Sequence, residues 1–210
     1  MAALTAFLKH VQPEVPVCPQ PIVLEAILRA SIEFCERTRL FDETVSVTTT
    51  AGDSEYTLSV TSGYTAHDIL YVKKTSDDTY LGASKREVFD ASNTYTDDGE
   101  PTAYYLTATG KLKLGPVPTA SDLDTYSVKL IIKPSTSATA VPDALADHWA
   151  LTIAAGAKAF LYAQKNTAWY APDEELKKGN VFTSGINRAK AELNLGRSGT
   201  PTQVAMRPFA

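Results

Sequence analysis

Reactive and cross-linking residues are scarce in this 210-residue chain: two cysteines, Cys18 and Cys35, and three histidines, His10, His67 and His148. Neither cysteine belongs to a C-x-x-C pair, which argues against a disulfide scaffold and makes reduced thiols in a cytosolic setting the expectation. The histidines fall in three different stretches with no ligand-like spacing, so neither a metal site nor a cofactor is predicted. Long apolar runs are missing too. The least charged helical stretch, residues 148–157, is about half of the roughly 20 residues that cross a bilayer. Residues 1–13 lack a basic segment followed by an apolar one, so no signal peptide is expected and the protein reads as soluble. Basic residues are outnumbered, 20 against 24 acids for a net charge of -4, which argues against tight general binding to nucleic acid. Gly110-Lys111 is not preceded by the glycine spacing of a phosphate loop, and no G-x-S-x-G elbow exists.

What the chain does have is enough apolar material, 44% of residues, for one large domain or two small ones. Threonine and tyrosine reveal how it is laid out. Residues 42–141 hold 18 of the 25 threonines and 8 of the 10 tyrosines, whereas residues 142–196 hold 12 alanines. Threonine and tyrosine suit half-buried pleated surfaces and alanine suits helix, so the order is helix, β-rich segment, two helices. Charge divides the same way. The middle zone has 14 acids and 8 bases, hence -6, and the remainder has 10 and 12, hence +2.

The first long helix is predicted from Pro21 to near Arg39, with Pro19 and Pro21 keeping the preceding segment extended. Val23, Ile27, Ala30 and Phe34 share one face, and Glu25, Arg29, Glu33 and Arg37 repeat every fourth residue on the other. That ladder reads as a solvated face or as an interface between subunits. In the middle zone Val45 and Val47; Tyr56, Leu58 and Val60; Ile69, Tyr71 and Val72; Tyr104 to Leu106; Leu112 and Leu114; and Tyr126, Val128, Leu130 and Ile132 mark strands. A hairpin turns near Gly110, residues 90–101 and 115–124 read as loops, and a small antiparallel sandwich or barrel is the expected product. After Pro142, Leu145, Trp149, Ile153, Gly156 and Phe160 form one face of a helix that carries no charge between Asp147 and Lys158. A last helix opens at Ala171-Pro172-Asp173 with Phe182, Ile186, Ala189 and Leu193 as its buried stripe, a break near Gly179 and an end at Gly196. Residues 197–210 have Pro201 and Pro208 and no periodicity, which predicts an extended tail. The fold class is therefore α+β, divided as residues 1–41, 42–141, 142–196 and 197–210.

The acidic run Asp97-Asp98-Gly99-Glu100 lacks the alternating ligands and closing glutamate of a calcium loop, and reads foremost as a turn. With Tyr104 and Tyr105 it also carries a reading as a glycan-binding or glycan-cleaving surface. No catalytic constellation is recognised, so no enzyme is predicted.

Several segments, in order, carry a resemblance. They are Val11-Gln12-Pro13-Glu14-Val15-Pro16, Cys18-Pro19-Gln20-Pro21, the helix containing Ser31-Ile32-Glu33-Phe34-Cys35, and the hairpin from Glu100-Pro101 through Tyr104-Tyr105 to Leu112-Lys113-Leu114-Gly115-Pro116-Val117-Pro118. Val141-Pro142-Asp143-Ala144-Leu145, Ile153-Ala154-Ala155-Gly156-Ala157 and Trp169-Tyr170-Ala171-Pro172 complete the set. In this order the chain resembles the head-to-tail adaptors, or connectors, of tailed bacteriophages, including the tail tubular protein of short-tailed phages. The resemblance implies a helical bundle with the β-rich domain inserted, and about twelve copies in a ring below the portal. The ring would lie at the neck of the virion, prolong the DNA channel without sequence-specific contacts and dock the tail or nozzle proteins. Assembly would take place in the host cytoplasm, with no membrane involved. It also implies that the tail grips the portal, which singles out Arg197, Thr200, Pro201, Val204, Met206, Arg207, Pro208, Phe209 and Ala210. A tail-completion or baseplate protein is the neighbouring reading.

Overall fold

In the computed structural model, which describes residues 1–91 and 97–195, the chain divides into two compact units. One comprises Met1 with Phe41–Val141; the other comprises Ala2–Leu40 and the chain from Pro142 onward. The helical unit starts with a single 3-10 turn, Leu4–Phe7, that runs into α1, Leu8–Val11. Phe7, Val11, Val15 and Cys18 are buried, so this opening segment contributes to the core. It is not extended as the prolines suggested: it closes on itself through turns such as Cys18 N–H to Val15 O. Pro19 is extended, with ψ 136°, and it leads directly into α2, Gln20–Thr38.

All four residues of the predicted α2 stripe are buried. Two hydroxyls on this buried side need partners and find them on their own helix: Ser31 donates to Ile27 O and Thr38 to Phe34 O, each at 2.8 Å. Arg39 ends the helix in the left-handed region at φ 55°, its N–H returning to Cys35 O.

The β-rich unit contains β1 (Asp42–Thr48), β2 (Glu55–Thr57), β3 (Tyr64–Lys74), β4 (Gly82–Ala83), α3 (Arg86–Ala91), β5 (Ala103–Leu106), β6 (Lys111–Gly115) and β7 (Thr125–Pro134). A three-stranded antiparallel sheet has the order β1-β7-β3, and a four-stranded sheet the order β2-β6-β5-β4. The register places Val45 opposite Val128 and Tyr104 opposite Leu114. Alternation then sends Val45, Val47, Val128 and Leu130 from one sheet, and Tyr56, Tyr104, Leu112 and Leu114 from the other, into one shared buried cluster. The two ladders are separate, and the described strands do not close a barrel. Gly110 makes the β5–β6 turn at φ 76°.

Two elements here depart from the sequence reading. Asp90 lies in α3, where a loop was expected, because Phe89 is fully buried and stacks edge-on against Tyr105 at 4.9 Å. β4 is a two-residue strand parallel to β5, too short for its alternation to register.

Beyond Val141 the predicted single helix is two. α4, Asp143–His148, ends at Trp149 (φ -122°, ψ 11°), and α5, Ala150–Tyr162, begins there. Trp149 packs on Phe34 of α2 with ring centroids 5.4 Å apart. The helix α6, Pro172–Leu195, runs through Gly179 without the predicted break. α5 packs against both α2 and α6. Glycines set the spacing to α6: a Cβ on Gly156 would lie 2.8 Å from the Phe182 ring, and one on Gly185 would lie 2.3 Å from Thr152 Cγ2. Phe182, Ile186 and Ala189 are buried as predicted, but Leu193 is exposed and Phe160 is only half-buried. The buried stripe thus ends at Ala189, more than one turn before the helix does.

Candidate functional site

The tail residues Arg197, Thr200, Pro201, Val204, Met206, Arg207, Pro208, Phe209 and Ala210 lie outside the described residues. The acidic run after α3 is described from Asp97 onward, and its surroundings are specific. Lys74 at the end of β3 places its Nζ 2.5 Å from Glu100, 3.5 Å from Asp124 and 3.7 Å from Asp77. Asp124 also accepts a hydrogen bond from Ser76 Oγ, and Asp77 one from the Thr79 N–H. The hydrogen bond to Glu100, backed by the neighbouring carboxylates, holds the Lys74 ammonium well above its ordinary range. The Ser76 hydroxyl holds Asp124 below the usual carboxylate range, and the Thr79 N–H does the same for Asp77. These three carboxylates share one lysine, so the cluster stays acidic overall while each is held by a hydrogen bond or ion pair. They are not poised as an acid and base pair.

The glycan reading loses its stacking platform as well. Tyr104 and Tyr105 are buried, Tyr104 in the shared core and Tyr105 against Phe89, because both lie in a strand packed on two sides. Their adjacency in the sequence carried no sign of which faces would be covered.

His10, His67 and His148 lie in α1, β3 and α4, in separate elements. Cys18 and Cys35 are free and buried, and burial pushes the Cys35 thiol up to about 12, which makes it a poor nucleophile.

The helical unit holds a constellation that sequence reasoning missed. Lys158, on the apolar helix α5, is buried, and its Nζ meets Glu14 Oε1 at 2.6 Å. The other oxygen of Glu14 meets Lys178 of α6 at 2.7 Å. Burial works against the Glu14 charge, but the hydrogen bonds from Lys158 and Lys178 outweigh it and hold the carboxyl below its ordinary value. One carboxylate thereby ties the opening segment to both later helices. The signal available was a lone lysine inside an otherwise uncharged helix, which must find a partner when buried.

The charged face of α2 resolves into two separate pairs, Glu25–Arg29 at 2.8 Å and Glu33–Arg37 at 2.9 Å. The second pair stands on the rim of an open groove of about 610 Å³. Gly156, Ala159 and Phe160 of α5 and Leu176, Gly179 and Phe182 of α6 line it, and Leu176 is 68% exposed. On the other flank of α6, Leu151 (71% exposed) and Val181 (54% exposed) stand beside Asp147, Gly185 and Arg188 around a smaller, more polar depression.

The charged clusters are tied into ion pairs, and apolar surface is left open on the helical unit. The chain matches the family model for the SU10 adaptor protein over residues 4–206, nearly its full length, and it belongs to that family. The family is one of structural phage proteins and not a known enzyme family. A comparison with curated proteins finds no match. Among the described residues no helix is long and apolar enough to cross a membrane.

Proposed function

We propose that this adaptor is the head-to-tail connector of a tailed phage, with a tail tubular-like place at the virion neck. About twelve copies form a ring beneath the portal, prolong the DNA channel and dock the tail or nozzle proteins. The family match over residues 4–206 carries this reading. In it the helical segments form the bundle of the ring, residues 42–141 are the inserted β-rich domain, and residues 197–210 reach the portal. The excess of acid in residues 42–141 suits a surface that DNA passes without being held. Val204, Met206 and Phe209 supply apolar anchors for the portal contact. Assembly takes place in the host cytoplasm, and the free protein stays monomeric until the portal nucleates the ring.

Deleting residues 197–210 tests the assignment. The truncated protein is expected to keep its thermal midpoint and its monomeric mass, and to lose binding to purified portal particles. Saturation of those particles by the truncated protein at full-length concentrations would reject the portal-gripping role.

A further inference from the structure

The strand edges of the β-rich unit are guarded unequally. A strand at the end of a sheet leaves a row of N–H and C=O groups unpaired, which is a template for a further strand from another chain. β2 and β4, at the ends of the four-stranded sheet, are only three and two residues long. β3, at one end of the other sheet, shifts register twice, and its last residues are covered: Leu81 N–H donates to Val72 O, and Lys74 N–H to Thr79 O. β1 forms the opposite end and has none of these protections. It is seven residues long, pairs with β7 without a register shift, and contains no proline, lysine or arginine.

Register decides which backbone groups of β1 are free. Ile132 N–H donates to Phe41 O and Thr49 N–H to Asp124 O, so the odd-numbered residues turn their backbone groups towards β7. Thr44, Ser46 and Thr48 turn theirs away, and these groups have no backbone partner among the described residues. The three residues are exposed, while Val45 and Val47 between them are buried. A second copy offers no described strand to fill the row. Its β2 and β4 are short, its β3 is covered, and β1 against β1 would make a twofold pair that does not propagate around a ring. Charge narrows the partner further. Residues 40–72 contain five acids and no lysine or arginine. Lys129 balances Asp42 at 3.1 Å, whereas Glu43 is oriented by the Thr61 N–H and hydroxyl and has no ion-pair partner among the described residues.

We infer that the outer edge of β1 accepts an extended segment of the tail or nozzle protein, added as a fourth strand to the β1-β7-β3 sheet. The inference rests on the adaptor reading and names the edge through which the tail is docked. The segment alternates along its length: apolar residues lie beside Val45 and Val47, polar ones beside Thr44, Ser46 and Thr48, and a lysine or arginine meets Glu43. Its main chain supplies the hydrogen bonds, and its alternate side chains supply the selection.

Proline at an outward-facing position tests this, because it removes a donor that the β1–β7 ladder does not use. Ser46→Pro is expected to keep the wild-type thermal midpoint and portal binding, and to need at least about tenfold more purified tail or nozzle protein to saturate docking. Ser46→Lys, which changes no backbone group, is expected to weaken docking in the same direction by setting a charge against a basic strand. Hydrogen exchange supplies an arm that needs no variant. The amides of Thr44, Ser46 and Thr48 are expected to exchange rapidly in the free protein and on portal particles, and to slow at least about tenfold once the tail or nozzle protein is added. Protection before that addition would mean that the chain itself or a second copy covers the edge, and would overturn the partner assignment. Unprotected amides after docking, or docking of either variant at wild-type concentrations, would overturn the edge assignment and leave the adaptor reading standing. Failure of wild type to bind portal or tail would overturn both.

Discussion

Leu112, Leu114, Val128 and Leu130 fill the core of the β-rich unit with branched side chains, whereas the helical unit brings α5 and α6 together over Gly156 and Gly185. In the first case two pleated surfaces face each other and volume between them must be filled. In the second, two helices approach closely and volume must be kept out. The same substitution therefore has opposite meanings in the two units: truncation opens a cavity in one, and addition of a methyl group wedges the other apart. Charge follows the contrast. The lysine of the β-rich unit gathers three carboxylates at the surface, while Lys158 of the helical unit is buried against one.

The largest effect belongs to the β-rich core. Leu130 is fully buried on the central strand β7, so Leu130→Ala removes apolar contact and leaves a cavity whose walls belong to two sheets. A loss of about 2–5 kcal/mol is expected, read as a lower denaturant midpoint at unchanged slope. A loss below about 1 kcal/mol would mean that the sheets collapse onto the gap, and that this core is less closely filled than its burial indicates.

The converse test is Gly185→Ala. The added methyl would lie 2.3 Å from Thr152 Cγ2, 2.6 Å from Oγ1 and 3.0 Å from Cβ, so α6 must move away from α5. A cost of about 1–3 kcal/mol is expected. Thr152→Ala removes two of the three contacts and should recover most of that cost when combined with Gly185→Ala. Equal losses with and without Thr152 would place the strain elsewhere in the helix pair.

These two positions also show where the sequence was legible. The α2 stripe and the alternation through Val45, Val128, Leu112 and Leu114 were readable, because burial on one face leaves a fixed period in the chain. α3 and β4 were not: each is only a few residues long, and Phe89 is buried by a tertiary contact that no period announces. Gly179 read as a helix breaker on propensity, yet α6 passes through it and through Gly185, since packing of Phe182, Ile186 and Ala189 overrides a cost of about 1 kcal/mol per glycine. The uncovered apolar flanks of α6 were invisible for a related reason. Leu176 and Val181 belong to the same helix as the buried stripe, and only the packed structure shows which apolar residues stay uncovered.

Glu14 sharpens the contrast in charge. Glu14→Gln leaves Lys158 buried beside a neutral amide, and because Glu14 itself is 41% exposed, solvent screening limits the expected loss to about 1–2 kcal/mol at neutral pH. The folded-state pKa of Glu14 lies below its unfolded value, so its contribution is present above the unfolded pKa and disappears as pH falls through the folded one. Wild type and Glu14→Gln should differ most at neutral pH and converge in acid, as followed by thermal midpoints from pH 7 to pH 3. A difference that persists at the acid end would mean that the glutamine disturbs packing and that the charge is not what it replaces.

The smallest expected change is a gain, and it returns to the β-rich unit. Tyr126 is fully buried on β7, and its hydroxyl has no hydrogen-bond partner among the described residues. Burial pushes its phenol up to about 12, with the nearby carboxylates adding to the push and Lys74 opposing it. Tyr126→Phe deletes an oxygen that is desolvated and unpaired, so the protein should become more stable by about 1 kcal/mol. The pH dependence has a definite sign. With the folded pKa raised above the unfolded value near 10, the unfolded chain loses this proton first, and stability falls as pH rises from about 10 to about 12. Phenylalanine cannot titrate, so the advantage of Tyr126→Phe should widen across that interval. If the substitution destabilises at neutral pH instead, the hydroxyl makes a bridging-water contact in solution and the core around Lys74 is wetter than its packing implies.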